Sequence, residues 1–223
     1  MATPLDLQEQ EQVDALKSFW KQYGNLITWT LVLALGSFAA WNGWNWYQRD
    51  QGFKAGAMFD ELDRSIQAGD VDRSEKIFAD LQTRYPGTQW TAQGGLMLAK
   101  LQIDKGRSEG AQGVLRWVGD KSRDEGLRAI AALRLAGIEL DAKRWDEALK
   151  AVEAANVKGF EPLAADRKGD VLLAQGKTQQ AADAFMQAWK GLPETVEYRR
   201  VVEAKLNALG VATAAAAASG VSK

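Results

Sequence analysis

The chain has 223 residues, with 28 Lys+Arg, 29 Asp+Glu and a formal net charge of −1, and it contains neither His nor Cys. This composition excludes disulfides, thiolate nucleophiles and Cys-based metal sites. It also removes the commonest general base and metal ligand and makes electrostatic binding of nucleic acid a poor fit. No cofactor is expected, and an enzyme would have to work with carboxylates alone. At ~100–200 residues per domain the length allows one domain with an appendage. Nine Trp are present and five precede residue 47, so the two ends of the chain differ in hydropathy more than in charge.

Residues 1–25 read as a short polar segment. Within it Leu5, Val13, Leu16, Phe19 and Trp20 give 5–20 an amphipathic pattern, either a soluble stub or a small docking helix. No Asp, Glu, Lys or Arg occurs between Lys21 and Arg49. The spacing predicts a transmembrane helix over 26–46, which would be about 31 Å long, against a hydrocarbon core of ~30 Å. Trp20 and Tyr23 flank one end, and Trp41, Trp44, Trp46 and Tyr47 the other, as an aromatic belt requires. The lipid bilayer is thus an expected partner. A buried core helix is disfavoured by the length and the belts. Ser37-Phe38-Ala39 would pass as a cleavage site, but a signal peptide wants a short basic leader and this one is long and acidic. Orientation is a tie, because Lys17, Lys21 and the amino terminus on one side balance Arg49, Lys54 and Arg64 on the other.

Beyond residue 52 the chain reads as helices broken by short turns. Gly69-Asp70-Val71, Gly106-Arg107-Ser108, Lys143-Arg144-Trp145 and Gly176-Lys177-Thr178 are alike. Each is followed by a small residue (Ser74, Ala111, Ala148, Ala181), then a larger apolar one (Phe78, Leu115, Val152, Phe185), then Leu81, Val118, Ala155 or Ala188. Positions i, i+4 and i+7 share one helix face. The small residue admits a partner helix, and each pair must stack on the next to bury that face. First helices are expected near 53–68, 90–104, 124–141 and 162–175, and second helices near 72–85, 108–119, 145–156 and 178–190. A last helix over 194–209, with one face made by Val201, Val202, Lys205, Leu206 and Leu209, should cap the stack. The predicted fold class is all-α, with one transmembrane helix followed by a helical-hairpin solenoid of about four repeats plus a capping helix, spanning 53–209. The Ala-rich tail 210–223 is expected to be disordered.

There is no Walker loop, no Gly-x-Gly-x-x-Gly and no cluster of metal ligands. Gly94-Gly95 stands where the repeat wants small residues. Asp60, Glu61 and Asp63 read as a solvated helix face, and the Trp at 90, 117, 145 and 189 as core packing. First helices line the binding surface of such stacks. Here they offer Gln93, Leu96, Lys100 and Ile103, then Ile130 and Leu133, then Leu163, Asp166 and Asp170. This apolar surface with scattered charge suits extended polypeptide or one helix of a partner, and it lacks the basic set that would clamp a terminal carboxylate.

These units resemble the tetratricopeptide repeat, of about 34 residues. The match is best from Pro162 to Pro193, through Gly169, Gly176, Ala181, Phe185 and Ala188. The middle units lack the closing proline, and Lys143 stands where Gly is usual. Tyr23-Gly24-Asn25 leading into the span, and the order of anchor and repeats, resemble the ancillary SecYEG translocon subunit family (YfgM-like). The resemblance implies a single-pass type II protein of the bacterial inner membrane, with a cytoplasmic N-terminus and a periplasmic repeat domain. Its implied partners are the SecYEG translocon, a membrane-anchored periplasmic chaperone of the prolyl-isomerase-like type, and exported client proteins. The implied role is passing newly translocated chains to periplasmic folding factors, with a negative influence on an envelope stress response. The family has no catalytic residues to carry over. A structural adaptor of another inner-membrane complex, with no client binding, is the alternative.

Overall fold

The computed structural model describes residues 7–211. The reading of 210–223 as disordered therefore lies almost wholly outside the described residues. The helices in order are α1 (Leu7–Gln67), α2 (Val71–Arg84), α3 (Gln89–Asp104), α4 (Ser108–Lys121), α5 (Glu125–Asp141), α6 (Trp145–Ala155), α7 (Glu161–Ala174), α8 (Thr178–Gly191) and α9 (Tyr198–Ala208). No strand occurs among the described residues. The chain divides into two units, one ending at Gln51 and one beginning at Gly52.

In the first unit the apolar run is helical throughout, with Leu26, Trp29, Leu33, Leu35 and Phe38 exposed. The helix is long and apolar enough to cross a membrane, with a mean hydropathy of 1.3 over an 18-residue window. Three of its polar side chains bond back onto the helix itself. Thr28 Oγ1 donates to the Gly24 carbonyl at 2.7 Å, Thr30 Oγ1 to that of Leu26 at 2.8 Å, and Asn42 Nδ2 to that of Phe38 at 3.2 Å. A segment facing hydrocarbon needs this, because no water is there to accept those donors. All six flanking aromatics, Trp20, Tyr23, Trp41, Trp44, Trp46 and Tyr47, are exposed. The sequence reading placed a break between this helix and the first hairpin, but α1 is assigned without one. Gly52 and Gly56 are the helix breakers near that point, and each Gly costs only about 1 kcal/mol in a helix.

In the second unit the end of α1 from residue 52 pairs with α2, α3 with α4, α5 with α6, and α7 with α8. The four repeat positions behave as one set. Ser74, Ala111, Ala148 and Ala181 are all 0% exposed, and so are Leu81, Val118, Ala155 and Ala188. The larger residues between them, Phe78, Leu115, Val152 and Phe185, are buried as well. Close approach is enforced at the first helices. A Cβ on Gly169 would lie 2.5 Å from the Phe185 ring, and one on Gly95 would lie 2.7 Å from Val118. These glycines are therefore required for packing.

The turns share a geometry. Gly69, Gly106, Lys143 and Gly176 all have positive φ, between 59° and 77°. The N–H of the next residue reaches back five positions in each, Asp70 to Ser65, Arg107 to Gln102, Arg144 to Glu139 and Lys177 to Leu172. This is the helix-ending arrangement that glycine favours, and Lys143 adopts it despite its side chain, at a cost of ~1–2 kcal/mol.

The cap differs from its expectation. α9 begins at Tyr198, because Pro193 to Glu197 form tight turns, with the Val196 N–H on the Pro193 carbonyl. Val202 and Leu206 are buried and Leu209 packs beside them, while Val201 is exposed. Trp90, expected in the core, is also exposed, with its ring 5.1 Å from that of Phe59.

Candidate functional site

The residues read as a first-helix surface divide into two groups. Lys100 and Ile103 on α3 are exposed, and Gln93 is half-buried. Ile130 and Leu133 on α5 and Leu163 on α7 are half-buried as well. Leu96, Asp166 and Asp170 are placed differently, and the structure corrects the reading there. Leu96 lies in the core of the second hairpin with Ala92, Ala99 and Leu115. Its carbonyl accepts Arg134 Nη1 from α5 at 2.6 Å. Asp166 is buried beneath α9, where it accepts Tyr198 Oη at 2.7 Å and Lys205 Nζ at 2.9 Å. Asp170 accepts the same ammonium at 2.7 Å. Both carboxylates therefore anchor the capping helix to α7.

Burial shifts two groups here, Asp170 and Tyr198. It pushes the Asp170 carboxyl above the usual aspartate value, and the hydrogen bond from Lys205 offsets this only in part. Burial, then the bond to Asp166, raises the Tyr198 phenol as well, so it remains a donor at neutral pH. Burial alone lowers the Arg134 guanidinium from its ordinary value.

A cleft of about 490 Å³ opens on the other helices, between α4 and α6 with α5 as its floor. The sequence reading did not find it. Leu115, Ala132, Leu135 and Ala151 make its apolar lining. At its edge Glu139, itself buried, accepts Arg116 Nη2 at 3.1 Å and also Arg144 Nε. A buried carboxylate must be paired in this way to remain charged. The signal for the cleft lay in the repeat itself, in which residue type stands at each equivalent position. Among the described residues no group of three or more Asp or Glu is placed to hold a metal ion.

The family model for a tetratricopeptide repeat-like domain matches residues 17–211. The "Ancillary SecYEG translocon subunit" of Neisseria gonorrhoeae is 32% identical over 205 residues, covering 91% of this chain and 98% of the relative. The chain belongs to the ancillary SecYEG translocon subunit family. The Escherichia coli member is 28% identical over 206 residues, covering 91% and 97% of the two chains. The Haemophilus influenzae member is 28% identical over 182 residues, covering 82% and 89%. The family-model match begins inside α1 and ends at Val211, so it takes in the apolar run, all four hairpins and the cap.

Proposed function

We propose that this chain is a membrane-anchored, protein-binding subunit that associates with the SecYEG translocon and is not an enzyme. The observation that carries the reading is the likeness along nearly the whole length to proteins named for that association, anchor and repeats together. The exposed apolar face of the span supports seating in the bacterial inner membrane. The N-terminus lies in the cytoplasm and the repeat domain in the periplasm. There Gln93, Lys100 and Ile103 on α3, Ile130 and Leu133 on α5 and Leu163 on α7 contact newly translocated chains. The domain passes them to a membrane-anchored periplasmic chaperone. Tethering beside the channel exit raises the local concentration of a weak binder, so modest affinity suffices and release stays quick.

The test is site-specific photocrosslinking of the full-length protein in intact bacterial membranes, with the reactive residue at Ile103 or Leu133. Adducts with channel subunits, a periplasmic chaperone or nascent exported chains are expected. Adducts with one unrelated stable partner would replace the reading by that of a structural adaptor, and adducts with cytoplasmic proteins alone would overturn the orientation.

A further inference from the structure

The gaps between successive second helices repeat as the helices do, but they are filled differently. Three and six residues after the buried small residue stand Val114 and Trp117 in α4, Ala151 and Ala154 in α6, and Ala184 and Gln187 in α8. In the first two gaps the pair faces the large residue of the preceding second helix, Phe78 or Leu115, and in the third Gln187 shares a cleft with Val152. Between α2 and α4 the Trp117 ring meets Phe78 edge-on, with centroids 5.6 Å apart, and Val114 packs against the same cluster. Between α4 and α6 every member of the set is smaller, and the cleft of about 490 Å³ lies there. Between α6 and α8 the cleft is about 110 Å³, lined in part by Val152 and Gln187. The opening is thus wide where the sixth position is Ala and narrow where it is Gln. Where it is Trp, the ring occupies the space.

We infer that the cleft between α4 and α6 is a docking site for an aromatic side chain, Trp in particular, on an uncharged stretch of a partner polypeptide. The ring enters the space that Trp117 fills one hairpin earlier. Its neighbours are the apolar set already described, with Ala132 and Leu135 as floor. The charges around it balance, with Arg116, Arg128 and Lys150 against Asp120, Glu139 and Glu147, so a charged segment gains no net attraction. Arg116 is held in place by Glu139, which leaves a fixed guanidinium beside the ring position, where a cation favours an aromatic face. A single aromatic anchor in a formed pocket is the usual energetic centre of a protein interface. This rests on the reading that the domain binds polypeptide, but it puts the anchoring contact on the second helices.

The experiment uses the full-length chain in detergent micelles and fluorescence anisotropy. Its probes are a short neutral Gly/Ser/Thr peptide with one central Trp, the same peptide with Ala there, and a permanently unfolded polypeptide without aromatic residues. The Trp peptide should bind at least about tenfold more tightly than its Ala form, and Ala154→Trp should remove that difference. In the unsubstituted chain the Trp peptide should shift the methyl resonances of Ala132, Ala151 and Ala154. Equal binding of the two peptides, or methyl shifts confined to other sites, would overturn the inference even if Ala154→Trp failed to fold. If the aromatic-free polypeptide still binds in that case, the client-binding reading survives alone. If nothing binds, both fall.

Discussion

The two units of this protein are built from the same helix-forming, Leu- and Ala-rich material, yet they dispose of their apolar side chains in opposite ways. Up to residue 51 Leu, Phe and Trp side chains point outward from α1, and Thr28, Thr30 and Asn42 turn back onto its own carbonyls. From residue 52 onward most Leu, Phe and Ala side chains are enclosed between helices, Phe53 and Leu173 being exposed, and the buried carboxylates Glu139 and Asp166 are paired. The comparison teaches that composition alone does not separate a membrane segment from a soluble core. What separates them is whether a small residue recurs every hairpin to let a second helix approach. The first unit has no such partner helix among its described residues, and its apolar surface is left exposed on a helix long and apolar enough to cross a membrane.

The comparison can be tested in order of expected effect. Phe185→Ala empties the most enclosed aromatic site of the repeat domain and should cost about 4 kcal/mol of its stability, read as a lower midpoint in urea. Leu33→Ala in the span should leave that midpoint where it is. Leu33→Arg should weaken membrane insertion by about 3 kcal/mol, seen as protein released by alkaline wash, again with no change in the repeat domain. Removing the shared cation by Lys205→Met leaves Asp166 buried without its charge partner. It should cost about 3 kcal/mol, with α9 amides exchanging first in hydrogen-exchange measurements. Lys143→Gly acts in the other direction. It should stabilise by about 1 kcal/mol, since only this one of the four turns carries a side chain at positive φ.

The smallest effect is one of pH. The folded state holds the Asp170 proton more tightly than the unfolded chain does, because burial raises that carboxyl. Its contribution to stability is therefore largest below the ordinary value of 3.8 and declines as pH rises through the raised folded value. Asp166, Arg167, Lys205 and Tyr198 surround the group. Asp170→Asn should remove this decline, so the stability difference between the variant and the unsubstituted chain shifts in favour of Asn as pH rises. A pH-independent difference in thermal midpoints would show that Asp170 does not titrate in this way.

Much of the fold was legible because its determinants are local or periodic. The repeat positions obey helical spacing, and every one of them is buried. The turns were marked by Gly and by one Lys in its place. The candidate surface was less legible, and the reason is specific. Leu96 turns into its own hairpin against Leu115 of α4. Asp166 is covered by α9, whose Tyr198 reaches it from 32 residues away in the chain. Exposure of a first helix is a property of what covers it.

The sequence by itself determined the all-α class, the apolar segment of membrane-spanning length, the register of the four hairpins and the absence of thiol and imidazole chemistry. Each follows from residue type and spacing, which act over a few turns of helix. Only the tertiary structure decided which carboxylates are buried, which first-helix residues remain accessible and where a cleft opens. Those outcomes depend on the joint size of side chains brought together from three helices. Phe78, Val114 and Trp117 close one gap, while Leu115, Ala151 and Ala154 leave the next one open.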